Sequence, residues 1–137
     1  MKVVYNAVYG GFSISMKCAK LMAEMGSLEA QCMLKAYEYD GICQWWYGYW
    51  EGSRHDPILV KAVEAIGYGA GESDCDDREG IDDQQIKVYT LKQGTKYIIQ
   101  EHSGLESVIE PNDIVWIDSK PTREVPTGDA LSLELKI

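Results

Sequence analysis

The sequence predicts an α+β fold: a small antiparallel sheet with two or three short helices. Three observations predict it. Short β-branched and aromatic runs lie at both ends of the chain, periodic apolar segments with capping residues lie between them, and Gly or Pro punctuates most of the joints. At 137 residues, with 45% hydrophobic residues, the chain fits one domain spanning 1–137 that builds its core without metals or disulfides.

Lys2 to Tyr9 carries Val3, Val4, Tyr5 and Val8, a run of strand length that Gly10-Gly11 then stops. After Phe12, either Ser13 or Ser15 can cap a helix whose apolar positions Cys18, Leu21, Met22 and Met25 follow helical spacing, with Gly26 as its stop. A second helical segment is expected over 28–36. From Tyr37 the composition changes, since half of residues 37–50 are aromatic. Asp40-Gly41 inside that belt is a hairpin signal, so a β-hairpin or ordered loop is expected there. Asp56-Pro57 opens the clearest helix, because Asp suits the N-cap and Pro the first turn, and Ile58 to Ile66 supply its apolar face before Gly67.

Residues 72–83 hold seven carboxylates and one Arg, which predicts a solvated loop within a flexible acidic stretch at 68–85. The spacing from Asp74 is wrong for a calcium loop: Arg78 and Glu79 fall where a ligand and a glycine belong, and Gln85 falls at the closing position. Beyond it, Ile86–Leu91, Lys96–Glu101 and Leu105–Ile109 read as strands, with Ser103-Gly104 turning between the last two. Val115–Ile117 and the alternating Leu131, Leu133, Leu135 and Ile137 add two more candidates, the last in a C-terminal extension at 119–137.

Cysteines 18, 32, 43 and 75 form no C-x-x-C pair, and free buried thiols are expected. His55 and His102 lie near no cysteine pair, so no metal and no cofactor is expected. No run approaches the roughly 18 apolar residues of a membrane helix, and the first residues lack a signal peptide's apolar core, so a cytoplasmic location in the cell that makes the protein is expected. The net charge of −9 disfavours nucleic-acid polymers, whose binding draws on Lys and Arg, but leaves a compact anion open.

Three features could carry chemistry. Tyr9-Gly10-Gly11-Phe12 and Ser13, at a helix start, could cradle a phosphate on free amides, or could simply make a tight strand-to-helix turn. Arg54-His55 could pair with a phosphate or a guanine edge, or be loop residues before a capped helix. Trp45 and Trp46, with the rest of the belt, could stack on nucleobases, bury an interface, or fill the core. No nucleophile elbow or metal-ligand cluster stands out, and an enzyme is not expected, although His55 activating a water stays open.

Two of these blocks, Val3 to Ser15 and Arg54 to Val60, match V-V-x-N-x-x-Y-G-G-F-x-x-S and R-x-D-P-x-L-V, and Tyr97 to Val108 looks like W-E-I-E-E-Y-D-G-x-E-x-V, sharing Ile99, Glu101, Gly104, Glu106 and Val108 with it. In these blocks the chain resembles a family of small phage proteins that is identified with the anti-CBASS sponges, which sequester cyclic dinucleotide immune signals such as cyclic GMP-AMP without cleaving them. The chain departs from the pattern at 27–50 and after Glu110. The resemblance implies stoichiometric capture in a host cell by a homo-oligomer, a dimer or tetramer, with ligand sites shared between subunits. It would place a phosphate on Gly10, Gly11 and the Ser13 region, a phosphate or purine edge on Arg54, and bases on Tyr9, Phe12, Trp45 or Trp46. A rival reading is an acidic protein-binding inhibitor of a host defence nuclease or DNA-binding protein; another is a phosphodiesterase acting on the same signal.

Overall fold

Val3, Val4 and Tyr5 open the chain as strand β1, Lys2–Asn6, which pairs antiparallel with β2, Ile86–Thr90, in a register that sets Lys2 opposite Thr90 and Asn6 opposite Ile86. The computed structural model describes residues 1–39, 46–74 and 84–119. Alternation along β1 splits its side chains between two apolar clusters. Val4 joins the larger one with Ile14, Met22, Leu59, Val63 and Ile86, while Val3 joins Leu91 and Val108. A strand buried on both faces is covered by an element on each.

The larger cluster is capped by three helices. α1, Met16–Glu24, begins at Ser15, whose hydroxyl accepts from the Cys18 amide at 3.1 Å, so Ser15 and not Ser13 is the cap. α2, Leu28–Tyr39, follows, with the Ser27 hydroxyl accepting from the Ala30 amide. It is longer than expected and takes in Tyr37 and Tyr39, which the sequence reading assigned to a hairpin or loop. No Gly or Pro interrupts 28–39, and its Glu, Ala, Gln, Met, Leu and Lys residues favour continuation. The hairpin signal Asp40-Gly41 lies outside the described residues. α3, Pro57–Ile66, has Asp56 at its N-cap, accepting from Ile58 N at 2.8 Å, and ends at Gly67.

The smaller cluster is covered by a hairpin of β3, Ile98–His102, and β4, Leu105–Ile109, followed by a single 3-10 turn at Pro111–Asp113. The antiparallel strands thus form two two-stranded sheets, with β4 against β1. Val115–Ile117, strand-like in composition, pairs with no strand among the described residues, and all three side chains are exposed. Leu131–Ile137 and the rest of the extension from 120 onward lie outside the described residues, as do 75–83 of the acidic stretch. Within that stretch Asp74 is not a solvated carboxylate: Oδ2 accepts from the amides of Gly69 and Gly71 at 3.1 Å each, and Oδ1 from Gln85 N at 2.9 Å. Cys18 is buried as expected, but Cys32 is exposed on α2. Among the described residues, no helix is long and apolar enough to cross a membrane.

Candidate functional site

Asn6 ends β1 with its side chain fully buried, and from it the chain turns through Gly10 and Gly11, at φ +108° and +92°. Such values suit glycine. The turn lies against the β3–β4 hairpin: Gly10 N donates to Ser103 O at 3.2 Å, and a Cβ added at Gly104 would fall 2.2 Å from Gly11 N. The Asn6 amide donates to Gly104 O at 2.6 Å and Val8 O at 2.7 Å, while its own Oδ1 has no partner among the described residues.

Arg54 reaches this node from the loop before α3. Its guanidinium carbon sits 3.6 Å over the Phe12 ring centroid, and Nη1 and Nη2 donate to the two oxygens of Glu106 at 2.6 and 2.9 Å. The Glu106 carboxylate also accepts from Asn6 N at 2.8 Å, and Arg54 O accepts from Val4 N at the same distance. Glu106 is 7% exposed, so its charge is compensated by a fork-to-fork pair and one backbone amide. Beside it, His55 Nδ1 lies 2.6 Å from the Tyr97 hydroxyl, with the rings edge to face. Partial burial pushes the Tyr97 phenol up from its ordinary range, and the Arg54 charge opposes that.

Gly10, Gly11, Phe12 and Arg54 are therefore brought together, with Tyr9 and His55 exposed. Ser13 is not part of this cluster: it is buried, and its hydroxyl accepts from Gln85 Nε2 at 2.9 Å. Trp46 packs edge to face on Tyr37 and donates its indole N–H to Ile14 O at 2.9 Å, as part of the main core's margin. Trp45 lies outside the described residues. Of the two features read from sequence as anion acceptors, the one at Arg54 already holds carboxylates of its own chain, Glu106 on the guanidinium fork and Asp56 on the first amides of α3. An incoming phosphate would compete with both. At the margin of this cluster stand the exposed Tyr9 ring and the exposed His55 ring, the latter in contact with Tyr97.

Asn6, Glu106, Tyr97 and Gln85 were not singled out from sequence. Glu106 carried a signal, because it shares a face of β4 with Val108 and so stands where an apolar residue belongs. Gln85 carried none, yet it is 1% exposed and joins Ser73, Gly11 and Ser13 through its side chain. Burial pushes the Cys18 thiol, in the main core, up to about 12, which keeps it protonated and inert. Among the described residues, no group of three or more His, Cys, Asp or Glu side chains is arranged to hold a metal. No protein-family model, curated protein or solved structure matches the chain.

Proposed function

We propose that the protein is a non-catalytic binding protein that sequesters a cyclic dinucleotide, the role its motif blocks resemble in the anti-CBASS sponges. The observation that carries this reading is the convergence of three blocks far apart in sequence, at 9–12, 54–55 and 97–106, on one cluster whose margin presents the exposed rings of Tyr9 and His55. Exposed rings stack on any nucleobase, each contact contributing about 1–3 kcal/mol. The Arg54–Glu106 pair serves the site by tying the loop that carries His55 to the hairpin against which the Tyr9 turn lies, in place of the direct phosphate contact expected from sequence.

The test is thermal unfolding with a panel of cyclic di- and trinucleotides, followed by chromatography of the ligand released on heating. Ligand at a hundredfold excess over Kd should stabilise the native state by about 2.7 kcal/mol. Recovery of the nucleotide intact supports capture, whereas a cleaved product makes the protein a phosphodiesterase. Tyr9→Ala and His55→Ala should each weaken binding by roughly 5- to 150-fold, Tyr9→Ala with unliganded stability nearly unchanged because its side chain is exposed, and His55→Ala with a loss of about 1 kcal/mol from its bond to Tyr97. The charge of −9 favours the second reading, an inhibitor that covers a basic protein, and the absence of any nucleotide-dependent shift would select it.

A further inference from the structure

His55 is exposed, yet its ring is held in place. Its backbone amide donates to Ser53 Oγ at 3.2 Å, and its neighbours are pinned: Arg54 O accepts from Val4 N of β1, and Asp56 caps α3. The ring itself sets Nδ1 2.6 Å from the Tyr97 hydroxyl, with the two rings edge to face at 87°. Tyr97 is half-buried and packs against the cluster of Val3, Leu91 and Val108, so that hydroxyl is offered from an anchored ring. Fixing a surface side chain costs conformational entropy, and a ring fixed before a ligand arrives spares that cost on binding.

The direction of the bond decides what the ring offers. A phenol O–H is a good donor and its oxygen a poor acceptor, because the lone pairs are delocalised into the ring, whereas the bare nitrogen of a neutral imidazole accepts well. Partial burial holds the Tyr97 phenol up from its ordinary range, against the opposing Arg54 charge, so it keeps its proton. Tyr97 therefore donates to Nδ1, and the imidazole proton sits on Nε2, which has no protein partner among the described residues. We propose that Tyr97 is a positioning residue whose hydroxyl holds His55 as the Nε2–H tautomer, and that this N–H is the donor offered to a phosphate oxygen of the ligand. The Arg54 fork is given to Glu106, so a phosphate beside it needs a donor from elsewhere, and the next residue supplies one. Stacking uses the face of the imidazole and the N–H lies in its plane, so one nucleotide can take both contacts. The phosphate contact rests on the nucleotide-capture reading; the His55–Tyr97 geometry does not.

The geometry is tested without nucleotide. Long-range proton–nitrogen spectra of the free protein, at a pH at which the imidazole is neutral, should show His55 with its proton on Nε2 and a bare Nδ1. Tyr97→Phe, which keeps the ring in its cluster, should bring the two nitrogen shifts closer together as the tautomers mix. A proton on Nδ1 in the wild type, or identical shifts in the two proteins, overturns the proposal. The contact is tested with the cyclic nucleotide that most stabilises the wild type and with guanosine, which carries no phosphate. Tyr97→Phe should weaken binding of the cyclic nucleotide by roughly 2- to 10-fold and leave that of guanosine unchanged. In a His55→Ala background the same substitution should change affinity by less than about twofold. An undiminished effect in that background overturns the positioning role, since Tyr97 would then act on the ligand without His55. A wild type that binds no cyclic nucleotide overturns the phosphate contact together with the capture reading, and the spectra tell that failure apart from a failure of the His55–Tyr97 geometry.

Discussion

Arg54 illustrates how a side chain read for ligand chemistry can be claimed by its own fold. Its position before a helix start, next to His55, was visible in the sequence; its partner, 52 residues away on β4, was not, because strand pairing and hairpin placement decide which carboxylate arrives there. The Glu106 side chain is 6% exposed, so removing Arg54 leaves a buried charge with one amide for company. Arg54→Met, which keeps an apolar stem near Phe12, should lower unfolding free energy by about 3–5 kcal/mol in urea titrations, and adding Glu106→Gln should return part of it. A loss under about 1 kcal/mol would give the pair only the weight of a surface ion pair. Ser13 was misread for a related reason. A serine just before a helix looks the same in sequence whether it faces an anion or a buried glutamine, and only the distant Gln85 distinguishes the two cases.

At the level of elements, segments with local punctuation were the legible ones. Asp56-Pro57 and Gly67 bracketed α3, and Ser103-Gly104 set the β3–β4 turn, since caps and turns depend on residues within one or two positions. The end of α2 and the fate of Val115–Ile117 were not legible, because they depend on what the rest of the chain offers those residues. The turn at Gly104 couples both kinds of information. Its φ is +88°, and an added Cβ would strike the backbone of Gly10 and Gly11, whereas Gly94, at φ +72°, has open space around it. Gly104→Ala should therefore cost about 2–4 kcal/mol and Gly94→Ala only about 1 kcal/mol, measured by chemical denaturation. Equal costs for the two would mean that the YGGF turn and the hairpin do not bear on each other.

Across the whole molecule, the sheets are fastened at one end by Glu110, which is 3% exposed and accepts from Tyr89 Oη at 2.8 Å, Lys92 N at 2.8 Å and Gln93 N at 3.0 Å. Chiefly the Gln93 amide, then the Tyr89 hydroxyl and the Lys92 amide, hold its carboxyl below the ordinary carboxylate range against the opposing effect of burial. A carboxylate with a lower pKa folded than unfolded stabilises the native state fully above its unfolded pKa, and that contribution is lost as pH falls toward the folded value. Glu110→Gln should accordingly be less stable at neutral pH and show a flatter loss of stability on acidification, as read from denaturation midpoints across a pH series; parallel curves for the two proteins would refute this. The β1–β2 pairing has a further consequence, for the time order in which the chain is made. β1 ends at Asn6 and its partner begins at Ile86, so a ribosome adding about 5–20 residues per second leaves β1 unpaired for roughly 4–16 s. For that interval Val3, Val4 and Tyr5 form an apolar, strand-prone segment with an open edge, the form in which a nascent chain is most exposed to pairing with the wrong neighbour and most in need of a chaperone.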